Sequence, residues 1–305
     1  MASNNTYSWS WYPRSISVPS DDISRPLFIT GIPRCGSSWV GEVLGTCHNT
    51  RFIFEPFNSQ WVPALRNQIH HFRYLSGQSE APPLLQHIAD GAFRGRQSWK
   101  QISRATYRGY LGQACRAATR VVVKDPTASL LVDWIVKRFH AQILIVMRHP
   151  CGFASSLDAL DWNLGVNSLL RQDALMQDHL ERYRDVLNRA RSDKWLTRGA
   201  IWGAIHSVFA RQLEHHPDWR LLKYEDLCAN PMGQYKALAQ EFGLVLNQQT
   251  RQKIVTLSAK DSTDSGSIQR NSGSMPAIWR QRMSPGEIDA VMGIVAEFEL
   301  GYYTL

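Results

Sequence analysis

Gly31 and Gly36 bracket the four residues Ile32-Pro33-Arg34-Cys35, and Ser37-Ser38 follow directly. That spacing is the one used by glycine loops that hold phosphates ahead of a helix. Backbone N–H groups point outward, the helix dipole favours an anion, and glycine lets the oxygens approach the chain. The lysine that would reach a triphosphate is replaced by serine, and the loop's cation comes earlier, as Arg34. A magnesium-triphosphate kinase or ATPase depends on that lysine. The loop therefore suits a phosphate carrying a smaller, less charged group. The bland alternative is a glycine turn between core elements. Cys35 sits near a helix N-terminus, where a thiol can become reactive. A cysteine phosphatase needs an arginine six residues on, and Gly41 stands there instead.

A second group is Arg148 with Ser156 eight residues later. A helix starting near Gly152 puts Ser156 on its second turn, so its hydroxyl can join the Arg148 guanidinium around one phosphate. Arginine suits this because its planar fork binds phosphate bidentately. Equally, such an arginine can cap a carboxylate. Lys124 and Glu55 each follow a short apolar run.

These groups need elements to position them. Pro26 to Ile29, Arg51 to Phe54, Val121 to Val123, Ile143 to Met147 and Trp219 to Lys223 have the apolar, β-branched and aromatic content of short strands. Helical spacing follows Ser37 and fills Ala128–Phe139, 152–160 and 198–214. The charged segment 169–191 also carries apolar residues at helical spacing. Asn230-Pro231 opens a helix ending at Gly243, and Ser284-Pro285-Gly286-Glu287 is a capping box. Strands alternating with helices predict an α/β fold, a single doubly wound parallel sheet with a P-loop and flanking helices. Residues 58–118 depart from the alternation and read as a helical insertion over the active site, shaping an acceptor cap. Residues 1–25 read as a loose leader, 26–305 as the domain, and 260–276 as a mobile loop. Ligands of such sheets bind beyond the carboxyl ends of the strands. Gly31, Glu55, Lys124 and Arg148 should therefore share one face.

The stretch Ile32-Pro33-Arg34-Cys35-Gly36-Ser37-Ser38-Trp39 resembles the 5′-phosphosulfate loop of the sulfotransferases, with Cys35 where that family usually has serine. Arg148 to Ser156 resembles the family's 3′-phosphate motif. Val122-Val123-Lys124-Asp125-Pro126 and Phe54-Glu55-Pro56-Phe57 resemble elements of its bacterial and carbohydrate branch. Tyr224-Glu225-Asp226-Leu227 resembles a further landmark, read as structural. The resemblance implies 3′-phosphoadenosine 5′-phosphosulfate (PAPS) as donor and its 3′,5′-bisphosphate (PAP) as product. It also implies donor contacts from Arg34, Cys35, Gly36, Ser37, Ser38, Trp39, Arg148 and Ser156. Arg270 and Gly273 occupy the place of the family's late Arg-Lys-Gly element, with asparagine for lysine and altered spacing. Lys124 is expected beside the sulfate, or else paired with a carboxylate while Asp125 caps the next helix. Glu55 is expected to take the acceptor's proton, or else to pair with Arg34 or another loop arginine. His48, His70, His71 and His149 are alternative bases. No metal is expected, because a transferred sulfuryl group carries less charge than a phosphoryl dianion. The expected acceptor is a sugar, glycolipid or small metabolite with a free hydroxyl, less readily an amine. Two rivals are an atypical P-loop kinase and a non-catalytic module that binds PAP or a polyanion.

Composition sets the outer bounds. The 305 residues are 44% apolar, enough for a substantial core, and no apolar run reaches membrane length. Membrane association is expected to be peripheral at most, and no secretory signal is read at the start. Five dispersed cysteines argue against a disulfide framework or zinc site and for a reducing, cytoplasmic compartment. The net charge is +8, with nine Lys and Arg against two acidic residues between Trp61 and Arg120. That imbalance is either a solvated helical surface or a wall for an anionic partner, including an acidic acceptor. No nucleic-acid-binding signature accompanies it.

Overall fold

The structure is a computed structural model that describes residues 25–60, 62, 65, 71–95, 120–259 and 275–303. Its centre is a five-stranded sheet made of β1 (Leu27–Gly31), β2 (Thr50–Phe54), β3 (Arg120–Lys124), β4 (Gln142–Met147) and β5 (Arg220–Lys223). The order across the sheet is β2-β3-β1-β4-β5, and every neighbouring pair is parallel. Leu27, Phe28 and Ile29, Val121 to Val123 and Ile143 to Met147 are all fully buried. Burial on both faces explains why these strands are continuous apolar runs. Each such side chain stabilises the fold by roughly 1.5–3 kcal/mol relative to exposure.

The winding reverses at β1. From β1 the chain travels to the edge at β2, returns through β3, and crosses to the other side for β4 and β5. The end of β1 is therefore a switch point, the place where parallel sheets open a crevice. Register brings the strand ends together. Gly31 lies opposite Val146, Ile29 and Phe54 lie opposite Lys124, and Met147 lies opposite Lys223. Gly31, Glu55, Lys124 and Arg148 thus emerge at one edge, as the sequence predicts.

The flanking helices are α1 (Ser37–Leu44), α2 (Pro83–Phe93), α3 (Val132–Phe139), α4 (Pro150–Asp158), α5 (Lys194–His215), α6 (Tyr224–Ala229), α7 (Pro231–Glu241), α8 (Gln248–Ala259) and α9 (Pro285–Ala296). α5 is nearly all buried over its first four turns and packs on α4 and α9. Asp193 starts it by accepting the Trp195 and Leu196 N–H groups at 2.7 and 2.9 Å. The capping box at Ser284 and Glu287 is formed, and Asn230 caps α7 through the Gly233 N–H.

One expectation differs from the structure, and one helix is additional to the sequence reading. The 169–191 stretch is not one helix. It runs as short α, π and 3-10 turns, with the π turn at Met176–Leu180. Side-chain bonds hold this course. Gln172 accepts the Tyr74 N–H at 2.7 Å and donates to the Phe72 carbonyl, while the Tyr74 hydroxyl donates to Asp178 at 2.8 Å. Helix α8 was not anticipated, because it buries only Thr250 and Ile254 and so carries little apolar periodicity. Within the expected insertion, 58–118, the structure describes α2, while 96–118 lies outside the described residues. The leader through residue 24 and residues 260–274 lie outside them too.

Candidate active site

The loop after β1 is shaped by two left-handed residues. Arg34 has φ 69° and Gly36, which begins α1, has φ 100°. A side chain at Gly36 would place its Cβ 2.5 Å from the Tyr224 ring, so only glycine fits over that ring. Gly36 has no side chain with which to cap α1; the Trp39 N–H turns back to the Gly36 carbonyl at 3.0 Å, and the Ser37 N–H interacts with the Cys35 thiol. Cys35 points inward and is fully buried, and its N–H donates to the Ile32 carbonyl at 3.2 Å. Burial pushes its thiol above the usual range, the reverse of a reactive cysteine. Trp39 also faces the core, edge-on to Tyr224 and Tyr235, beneath the loop.

Lys124 is wholly buried, and its ammonium is the node of the site. Nζ lies 2.5 Å from Glu55 Oε1, donates to Ser38 Oγ at 2.9 Å, and sits 3.9 Å from the centre of the Phe54 ring. Glu55 turns the chain with φ 44° and accepts the Asn58 amide on Oε2 at 2.7 Å. The lysine at the end of β3 thus ties the start of α1 to the end of β2. The carboxylate at Glu55 meets this lysine, the carboxylate pairing that the sequence left open for Lys124.

Asp125 braces the same corner. Its Oδ2 accepts the Phe57 N–H at 2.7 Å, and Oδ1 accepts the N–H and hydroxyl of Thr127 at 2.9 and 2.7 Å. Its own peptide is clasped by β1, through Ile29 O and Thr30 Oγ1. Burial, and then the charge of Glu55, push its pKa up to about 7.

The second arm begins at Arg148. This side chain is buried, with Nη1 donating to the Arg34 carbonyl at 3.2 Å and Nη2 reaching the Met275 carbonyl at 3.5 Å. The guanidinium lies 4.8 Å from the centre of the Tyr224 ring. Among the described residues its Nε is buried without a partner. Gly152 makes room for it, since a Cβ there would lie 2.9 Å from Nε. On the second turn of α4, Ser156 accepts a hydrogen bond from Arg34 Nε at 3.0 Å. Arg34 therefore joins the two arms, by its carbonyl to Arg148 and by its side chain to Ser156. Its guanidinium also faces Trp162 at 5.8 Å, a ring 44% exposed.

Of the histidines, His48 and His71 are exposed, and His70 lies outside the described residues. His149 caps α4, its Nδ1 accepting the Cys151 N–H at 3.2 Å, and its ring stacks on Trp279 at 4.6 Å. Burial, then Arg280 and Arg148, lower its pKa to about 4. Arg270 and Gly273 lie outside the described residues. Sequence reasoning missed Asn58, Trp162, Trp202 and Tyr303. Each reaches the site through side-chain geometry that no local pattern announces.

Three cations, the N-terminus of α1 and a carboxylate thus converge at the switch point of a parallel sheet. Residues 26–248 match the model of the sulfotransferase family, and the chain belongs to that family. Among solved structures it is similar to the sulfotransferase domain from the curacin biosynthetic pathway, at 15% identity and a TM-score of 0.46, covering 92% of this chain and 100% of that one. It is also similar to sulfotransferase STF1 from Mycobacterium tuberculosis H37Rv (16%, TM-score 0.42, 90% and 79%). Mouse sulfotransferase SULT7A1, solved in complex with PAP, is a third such structure (10%, TM-score 0.42, 92% and 86%). A comparison with curated proteins finds no match. Among the described residues, no helix is long and apolar enough to cross a membrane, and no three His, Cys, Asp or Glu side chains form a metal-binding group.

Proposed function

We propose that this protein transfers the sulfuryl group of PAPS to a hydroxyl of a sugar, glycolipid or small metabolite and releases PAP. The observation that carries this reading is Arg148. Among the described residues no carboxylate pairs with this buried guanidinium, and its Nε has no partner. A buried cation without a counter-charge is costly unless an anion completes it. A second phosphate, apart from the one at the glycine loop, meets that demand, and PAPS carries its phosphates at two such positions.

This reading gives each residue a role. The N–H groups opening α1, with Ser37 and Ser38, hold the 5′-phosphosulfate. Arg148 and Ser156 hold the 3′-phosphate. Arg34 and Lys124 stabilise charge on the equatorial oxygens and on the departing phosphate, a preorganised electrostatic role. Glu55 takes the acceptor's proton as the acceptor oxygen bonds to sulfur and the bond from sulfur to the bridging phosphate oxygen breaks. Cys35 and Trp39 support the loop from below.

The test is thermal stabilisation by PAP beside ADP and ATP-magnesium. At a hundred times its dissociation constant a ligand stabilises a fold by about 2.7 kcal/mol. A shift with PAP that is lost in Arg148→Ala is expected. A shift with ATP-magnesium alone would overturn the reading in favour of a kinase.

A further inference from the structure

The peptide between Arg148 and His149 lies where β4 ends and α4 begins, beyond the sheet ladder. Both of its polar groups are held by side chains. The Trp202 indole N–H donates to the Arg148 carbonyl at 2.8 Å, and the His149 N–H donates to Glu225 Oε1 at 3.0 Å. Glu225 is itself fixed, because its Oε2 accepts the Tyr303 hydroxyl at 2.6 Å. Lys223 holds the same tail by donating to the Tyr302 carbonyl at 2.9 Å. A peptide plane fixed at both edges sets the backbone torsions on either side of it. It thereby sets the direction in which the Arg148 side chain leaves the chain. The residue before Glu225, Tyr224, supplies the ring beneath the guanidinium.

We infer that Glu225 is a positioning residue for the Arg148 phosphate contact, with Tyr303 orienting it and Trp202 holding the opposite edge of the same peptide. The inference rests on the reading of Arg148 as the contact of the nucleotide's 3′-phosphate. Glu225 does not touch the nucleotide. It acts by keeping Arg148 aimed before the ligand arrives, so the ligand does not bear the ordering cost. Tyr303 is accordingly part of the nucleotide site, although it enters it only through Glu225.

The test measures the affinities of PAP and of adenosine 5′-monophosphate, which lacks the 3′-phosphate, by calorimetry. The preference for PAP over the monophosphate isolates the 3′-phosphate contact. Wild-type protein should prefer PAP, and Arg148→Ala should erase the preference. If wild-type protein has no preference, the functional reading falls, and this inference falls with it. Glu225→Ala should reduce the preference by about tenfold, the scale of losing a supporting partner. It should leave monophosphate affinity unchanged. Glu225→Gln retains an acceptor for the His149 N–H and should keep most of the preference. Tyr303→Phe should lower it severalfold. A preference lost in Arg148→Ala but intact in Glu225→Ala and Tyr303→Phe overturns the positioning role alone. Equal losses for both nucleotides also overturn it, since they mark a purely structural tie. If Glu225→Ala fails to fold, Tyr303→Phe decides, and an unchanged preference there is the negative result.

Discussion

Lys124 Nζ and Glu55 Oε1 stand 2.5 Å apart at the carboxyl ends of adjacent strands, with the lysine cut off from solvent. The pair fastens β2 to the start of α1 through Ser38, and on the function proposed above it sets an ammonium and a carboxylate where donor and acceptor meet.

Removing one member of a buried pair strands the other charge, at a cost of about 3–5 kcal/mol. Lys124→Met should therefore be destabilised by that amount in urea titrations. The double variant Lys124→Met with Glu55→Leu should recover much of the loss, because no charge is left stranded. Activity should not recover. Glu55→Gln should keep PAP binding while kcat falls by about 10²–10⁴, the usual scale for a general base. Unchanged turnover in Glu55→Gln would remove Glu55 from the chemistry and leave it a tie between strands.

Gly152 offers a test of the Arg148 arm that avoids removing the arginine. Alanine inside a helix is favoured over glycine by about 1 kcal/mol, so Gly152→Ala should not unfold the protein. The new Cβ would lie 2.9 Å from Arg148 Nε and force that side chain to shift. The expected result is an unchanged or raised melting temperature with weakened PAP binding. Unaltered PAP affinity would show that Arg148 need not hold its observed course to bind the ligand.

The strands and the site face were legible because buried parallel strands are written as unbroken apolar runs. The residue that ends each run is then the residue that faces the crevice. Gly31, Glu55, Lys124 and Arg148 were placed by that logic, and register brings them together. What was not legible depends on side chains that meet across the fold. The turns after Leu169 follow bonds from Gln172 and Tyr74, not their own helical periodicity. Glu55 pairs with Lys124 on the neighbouring strand; the sequence left a carboxylate partner open for Lys124, but only register says which one. Trp202 looks like any core tryptophan in a helix until its indole N–H is seen on the Arg148 carbonyl.

Cys35 occupies the position in the loop where a reactive thiol would attract attention. Its burial and raised pKa predict the opposite behaviour. Folded protein treated with iodoacetamide at pH 8 should leave Cys35 unmodified in peptide mass spectra, whereas denatured protein should be modified there. Rapid alkylation of the folded chain would mean that the loop opens far more than its packing against β1 and β4 implies.

Acid should weaken the fold through His206, a fully buried residue on α5 that stacks on Trp202. Its Nδ1 pairs with the Trp202 carbonyl at 2.7 Å while Nε2 has no partner among the described residues, and burial lowers its pKa to about 4. Because the folded value lies below the unfolded one, about 6.5, the neutral ring is favoured in the fold. That stability is complete above pH 6.5 and is lost as the pH falls toward 4. Asp125 works in the opposite sense. Its folded pKa of about 7 makes its contribution complete below the unfolded value near 3.9 and lost as the pH rises through 7. The two therefore offset each other in the wild-type profile, and a substitution is needed to separate them. His206→Leu removes only the histidine. Between pH 8 and pH 5 its unfolding free energy should gain about 2 kcal/mol relative to wild type. A constant difference across that range would mean that His206 stays neutral in the unfolded chain as well, or is hydrated in the fold.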